Sequence, residues 1–232
     1  VLGSRGLGDV YKRQATGKQQ FALTSCCPSW SVMAKNLFPE TIDKISNELT
    51  PMVATARLIK QEHPDASVVF IGPCASKKLE ASRRTVRSDV DFVITFEELT
   101  GMFEAKGILL DEIKAMDEMK DATAAGRGYG VAGGVANAIK ECIEQYYPGT
   151  PVNIQHAESL AECKKALLLA KAGKMNGCLI EGMACPGGCI AGAGTNIAIP
   201  VAAKAVDKFK NEAEKKVPDE SVDQEMVELE KE

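Results

Sequence analysis

Aromatic residues supply only 5% of this 232-residue chain, and there is a single tryptophan. A core of ordinary size must therefore be built mainly from aliphatic side chains and alanine. Histidine is scarcer still, with His63 and His156 standing alone. That spacing offers no histidine metal motif and no Cys–His nucleophile pair. No apolar run approaches the roughly 20 residues of a membrane span. The formal charge of −4 leaves no basic footprint for nucleic acid. There is no C-x2-C-x2-C-x3-C ferredoxin module. The glycines Gly128, Gly130, Gly133 and Gly134 lack the G-K-[ST] that a phosphate loop needs. No secretory signal precedes the domain, so a reducing cytoplasm is the expected compartment.

Cysteine is well represented, with eight copies. In a large domain without a secretory leader this favours metal or redox chemistry over a disulfide framework. Five of the eight fall in three short clusters: Thr24-Ser25-Cys26-Cys27-Pro28-Ser29-Trp30, Gly72-Pro73-Cys74-Ala75-Ser76-Lys77-Lys78-Leu79-Glu80, and Glu181-Gly182-Met183-Ala184-Cys185-Pro186-Gly187-Gly188-Cys189. Thiolates are soft ligands that select iron–sulfur clusters, zinc or Cu(I). Zinc knuckles draw their ligands as tight local pairs. Ligands scattered along the chain instead imply a site assembled by the whole fold.

Periodicity gives the frame. Helical spacing is expected at Trp30–Phe38, from Thr50-Pro51 to about Gln61, at Glu97–Lys106, from Gly133-Gly134 to about Tyr146, at Ser159–Ala172 and at Pro200–Lys216. Thr50 suits an N-cap and Pro51 a first helical turn. A buried parallel strand is expected at Ser67–Ile71, with further strands at Val90–Thr95 and Asn176–Glu181 and a short one at Val152–Gln155. Strands alternating with helices predict an α/β fold with parallel pairing. The second and third cysteine clusters follow strand ends, where open α/β sheets place their ligands.

Each cluster admits more than one chemistry. Adjacent side chains diverge, so Cys26 and Cys27 cannot easily bind one metal together. If Cys27 is a ligand, Cys26 is either a proton-exchanging thiol or a small buried hydrophobe. Lys77 either turns back beside Cys74, where its ammonium offsets thiolate charge and donates to ligands, or is a surface lysine. The Cys185–Cys189 loop, with Pro186-Gly187-Gly188 between, either brings backbone N–H groups close to an inorganic cluster or belongs to a disulfide or zinc loop. Cys142, Cys163 and Cys178 lie in apolar segments and read as core cysteines.

Together the clusters resemble the H-cluster domain of [FeFe] hydrogenases, whose motifs are TSCCP-x-W, PC-x-x-K-x-x-E and E-x-MAC-x-x-GC. All three occur here in order, and the resemblance runs from about Phe21 to Pro200. It implies two lobes of mostly parallel sheet flanked by helices, with the iron–sulfur cofactor in the cleft between them. It implies that Cys27, Cys74, Cys185 and Cys189 hold a [4Fe–4S] cluster. Cys189 would also bridge to a two-iron subcluster bearing CO, cyanide and a bridging dithiolate, the whole forming the H-cluster. Cys26 would shuttle protons, Lys77 would hydrogen-bond a cyanide and Met183 would pack against the two-iron unit. Ser46 falls where the family's proton path has a serine. The implied reaction is reversible reduction of protons to H2. The implied partners are a ferredoxin-like electron donor and hydrogenase maturation proteins. The alternative is a non-catalytic relative: a redox or H2 sensor, or a protein that binds only [4Fe–4S]. Cys26 and Lys77 favour catalysis, since neither is needed simply to hold the cubane.

The resemblance has departures. Family members begin with a long segment upstream of TSCCP. Here Val1–Gln14 has no amphipathic period and reads as a non-native or junction segment, so the chain is expected to be a fragment lacking that part. Gly72 stands where well-studied members have methionine. The run Ile190-Ala191-Gly192-Ala193-Gly194-Thr195 replaces the usual glycine triplet. The expected organisation is residues 1–14 as junction, 15–205 as the cluster-binding domain, and 206–232 as a helical to disordered acidic tail.

Overall fold

The computed structural model of the protein describes residues 19–114 and 122–217. The Val1–Gln14 segment and most of the acidic tail lie outside the described residues.

The larger sheet has three strands, β1 (Ala22–Leu23), β4 (Asn153–Glu158) and β5 (Cys178–Met183), in the order β1-β5-β4 and all parallel. The smaller sheet pairs β2 (Val69–Ile71) with β3 (Phe92–Ile94), also in parallel. The α/β fold with parallel pairing expected from the alternating pattern is thus present.

Around the strands run α1 (Pro28–Leu37), α2 (Pro51–Glu62), α3 (Ser76–Ala81), α4 (Phe96–Ala105), α5 (Ala124–Arg127), α6 (Gly134–Tyr146), α7 (Leu160–Lys171) and α8 (Ile199–Asn211). The start signals act as the sequence suggests. Thr50 caps α2, its side chain accepting from Val53 N–H, with Pro51 in the first turn. At α4, Thr95 and Glu98 form a reciprocal capping box. The last helix ends at Asn211 rather than Lys216, so it crosses the 205/206 boundary drawn from the sequence.

Alanine dominates the core, as scarce aromatics require. Ala22, Ala34, Ala54, Ala136, Ala157 and Ala170 are all buried. The β5 strand is the centre of the molecule, with Leu179 through Met183 buried between α1 and α7 on one side and α6 on the other.

The smaller sheet corrects the expectation of a fully buried strand. Phe70 and Val93 pack inward against Met52, Val53, Val86 and Val90. Val69, Ile71 and Phe92, on the opposite face, are 43%, 44% and 62% exposed. An apolar run reads as buried on both sides, but among the described residues no element covers this outer face.

Candidate metal centre

The three cysteine segments are fastened to one another largely by the residues that flank their cysteines. Trp30 is fully buried, and its Nε1–H donates to the Thr24 carbonyl at 3.0 Å. The indole lies over Gly182, where an added Cβ would fall 2.2 Å from the ring. The tryptophan of the first segment thus packs on the glycine of the third. Thr24 N–H also donates to the Ile180 carbonyl at 3.1 Å.

The second segment follows β2, so Cys74 leaves the carboxyl end of that strand. It joins the first segment through the Ser29–Ser76 hydroxyl pair and through Lys77 Nζ, which donates to the Cys26 carbonyl at 3.3 Å. It joins the stretch that follows the third through Gly194 N–H, which donates to the Pro73 carbonyl at 2.9 Å. At the departure noted above, the Phe70 ring lies 2.9 Å from where a side chain on Gly72 would begin.

The third segment leaves the end of β5. Gly188 has a positive φ of 89°, and a Cβ there would fall 2.4 Å from the Ala132 nitrogen. Only glycine lets this loop seat against the Gly130–Ala132 backbone.

The cysteines feel one another. Burial raises the Cys189 thiol to about 12, and the charges of Cys74, Cys27 and Cys185 push in the same direction while Lys77 opposes them. Cys185 is raised by burial and then by Cys27 and Cys74. Four sulfurs from three distant segments thus share one electrostatic environment. Among the described residues no three His, Cys, Asp or Glu side chains are gathered tightly enough to hold a single metal ion. Four thiolates on one zinc stand about 3.8 Å apart, from Zn–S bonds of about 2.3 Å. A cubane spreads its ligands to roughly 6–7 Å.

The donor set fits such a cluster in chemistry: four soft sulfurs, a buried cation to offset charge, and a glycine loop without side chains in the way. Thiols that burial keeps protonated must release those protons when a metal binds.

Lys77 is buried, which sets aside the surface-lysine reading. Its Nζ also lies 2.6 Å from Glu80 Oε2, itself buried, so the first and last polar residues of K-x-x-E form one interior ion pair. This accounts for the glutamate of that motif.

Cys26 lies beside Cys27 and Cys189 and lines an open cavity of about 450 Å³, with Ser46, Glu48, Tyr129, Val135 and Leu179. Cys26 is partly buried, and desolvation pushes its thiol to about 12, with Cys189, Glu181 and Cys27 adding to the effect and Lys77 reducing it. A thiol raised this far holds its proton tightly, above the near-neutral range where proton exchange is most efficient. Ser46 is buried beside β1: its N–H donates to the Leu23 carbonyl at 2.8 Å, and its hydroxyl accepts from Glu48 N–H at 3.2 Å. Met183 is buried at the end of β5 and packs with Cys26, Cys27 and Cys189.

Two expectations need correction. The N–H groups of the glycine loop are not all open to a cluster: Gly187 donates to Glu158 Oε2, and Gly188 donates to the Cys185 carbonyl. Nor are the remaining cysteines all interior. Cys142 and Cys163 are buried, whereas Cys178 is partly exposed at the start of β5. The Cys163 thiol is engaged with the Ala157 and Met183 carbonyls at 3.5 and 3.6 Å, and it senses the charge of Cys27.

Sequence reasoning passed over the His156–Glu181 pair. Glu181 is 1% exposed, accepts from Val135 N–H at 3.1 Å and meets His156 Nδ1 at 2.9 Å. Burial raises its carboxyl while His156 pulls it back. The signal was the glutamate opening E-x-MAC, which faces His156 in the β4–β5 register.

Comparison with known proteins bears on this arrangement. The chain is 28% identical over 246 residues to the periplasmic [Fe] hydrogenase large subunit of Nitratidesulfovibrio vulgaris, a match covering 87% of this chain and 58% of that protein. It is 39% identical over 80 residues to the cytosolic Fe-S cluster assembly factor NAR1 of Kluyveromyces lactis, covering 34% of this chain and 17% of that protein. The chain spans between 36% and 58% of the curated hydrogenases it matches. Its fold matches a variant of [FeFe]-hydrogenase HydA1 from Chlamydomonas reinhardtii with a TM-score of 0.73 at 20% identity, over 97% of this chain and 75% of that one. Residues 7–193 match the model of the family described as iron only hydrogenase large subunit, C-terminal domain, and the chain belongs to that family.

Proposed function

We propose that Cys27, Cys74, Cys185 and Cys189 hold a [4Fe–4S] cluster, with Cys189 shared with a two-iron subcluster, and that the protein carries out reversible reduction of protons to H2. The observation that supports this most is the shared environment of four cysteines from three motif segments, with a fifth, Cys26, left free over a cavity. The bound iron would supply the electron transfer and the bond-making at hydrogen.

The chain's own residues supply ligation, charge and protons. Lys77 offsets the thiolate charge from inside the fold and is held in place by Glu80. Met183 would supply apolar packing beside Cys26, Cys27 and Cys189. Cys26 holds a proton on its sulfur at neutral pH, facing the Ser46-lined cavity. That cavity would be the proton route in this reading. Catalytic roles for Cys26, Lys77 and Ser46 follow from this reading. A ferredoxin-like protein would deliver electrons, and maturation proteins would install the two-iron unit. Among the described residues no helix is long and apolar enough to cross a membrane. The cytoplasm remains the proposed compartment, although one hydrogenase relative is named periplasmic.

A second reading draws on the similarity to NAR1: a protein that carries only the cubane and serves iron–sulfur assembly or sensing. Infrared spectroscopy of protein matured anaerobically separates the two. The hydrogenase reading expects CO and cyanide stretching bands together with H2 evolution from a reduced donor. Bands without gas point to a sensor. A cubane without bands points to the NAR1-like role.

A further inference from the structure

Glu158 ends β4 where that strand meets the cysteine loop, opposite Met183 in the β4–β5 register. Its Oε2 accepts a hydrogen bond of 2.9 Å from Gly187 N–H, midway between Cys185 and Cys189. On the other side, the Gly187 carbonyl accepts from Ala132 N–H at 3.0 Å. The loop is therefore gripped at both polar groups of one residue.

Glu158 is itself held from behind. Its N–H donates to Glu162 Oε2 at 2.9 Å, and Glu162 N–H donates to the Ser159 hydroxyl at 3.3 Å. Ser159 has a φ of 100°, the one positive value at a non-glycine position among the described residues. Such a conformation persists only where its surroundings over-determine it. Here Ser159 N–H donates to the Met183 carbonyl at 2.8 Å, and the Ser159 carbonyl accepts from Cys163 N–H at 2.9 Å. The corner that turns β4 into α7 thus fixes where the Glu158 carboxylate points.

We propose that Glu158 is a positioning residue for the Cys185–Cys189 loop, and that its negative charge lowers the reduction potential of the cluster held there. This rests on the reading that these cysteines hold a [4Fe–4S] cluster. Hydrogen bonds to cluster sulfurs and nearby charge are the levers by which a protein sets such potentials. Reduction adds one electron to an already anionic, thiolate-bound cluster. An N–H aimed at sulfur eases that step, and a neighbouring carboxylate opposes it. In this loop the Gly187 N–H is turned to a carboxylate, so both levers act in the same direction.

Two substitutions separate charge from position. Glu158→Gln keeps an acceptor oxygen for Gly187 N–H and removes the charge. Glu158→Ala removes both. Protein reconstituted anaerobically with iron and sulfide is titrated with reductant and followed by electron paramagnetic resonance. Glu158→Gln is expected to keep its full cluster content and to favour reduction about tenfold more than the parent, a midpoint shift of about 59 mV upward for one electron. In cluster-free protein, Glu158→Ala should speed amide exchange in residues 184–192 about tenfold, with Glu158→Gln close to the parent. An unchanged midpoint in Glu158→Gln overturns the charge role. Unchanged exchange in Glu158→Ala overturns the positioning role. A parent that takes up no cubane overturns the cluster reading and the charge role with it, and the exchange measurement still decides the positioning role.

Discussion

Replacing Lys77 by methionine tests the interior electrostatics of the site. The Nζ–Oε2 distance to Glu80 is 2.6 Å, and both side chains are at least nine-tenths buried. At an effective dielectric constant of about 20 the attraction is about 6 kcal/mol. Desolvation costs several kcal/mol per ion, so the intact pair adds little net stability. Removing only the lysine is a different matter. It leaves Glu80, 3% exposed, as a buried charge without compensation. Breaking such a pair costs about 3–5 kcal/mol, a large share of a domain's usual 5–15 kcal/mol. Lys77→Met should therefore lower the unfolding free energy of cluster-free protein, read from urea titration at pH 7, by that amount. The double variant Lys77→Met/Glu80→Gln should recover most of it, because the remaining amide carries no charge. A single variant within about 1 kcal/mol of the parent would refute the reasoning, as would a double variant no better than the single.

Other consequences are equally accessible. Cys26→Ser should leave cluster content nearly intact and lower H2 turnover about 100-fold or more in matured protein, the scale for losing a general acid; turnover at the parent rate would return Cys26 to the role of a small buried side chain. Gly182→Ala places a methyl group in the indole of Trp30, so it should destabilise by about 1–3 kcal/mol and shift the emission of the chain's single tryptophan. Glu98 is held down to about 2 from its ordinary 4.5 by Lys78 and the Thr95 N–H. A depressed carboxyl stabilises above its unfolded value and loses that contribution as pH falls through the folded one. The stability gap between parent and Glu98→Gln should therefore be full above about pH 4.5 and close toward pH 2.

Much of this was legible in the sequence because its signals were local. The N-cap at Thr50, the strand leading to Cys74 and the strand leading to Cys185 each follow from neighbours in the chain. The motif residues around the cysteines also had structural meaning, but that meaning is tertiary. Trp30 and Gly182 are conspicuous one at a time; that they touch is a property of β1 lying beside β5. Lys77 with Glu80 is an i,i+3 pair, visible as spacing, yet its burial depends on α1 and the first cysteine segment. Glu158 gave no signal. Its partner is a backbone N–H, and its direction depends on the Ser159 corner, where a serine stands at a conformation that usually calls for glycine. The exposed outer face of β2–β3 was misread for the opposite reason. An apolar strand looks the same in sequence whether or not anything covers it.

The most direct test of the account is the iron and acid-labile sulfide content of anaerobically reconstituted protein, measured for the parent and for each cysteine-to-serine variant. The account predicts about four iron and four sulfide per chain in the parent, as one cubane requires. It predicts loss or severe depletion in Cys27→Ser, Cys74→Ser, Cys185→Ser and Cys189→Ser, with parent values in Cys26→Ser, Cys142→Ser, Cys163→Ser and Cys178→Ser. A parent chain that binds one zinc and no sulfide, or a cluster that survives Cys27→Ser and disappears with Cys26→Ser, would contradict it.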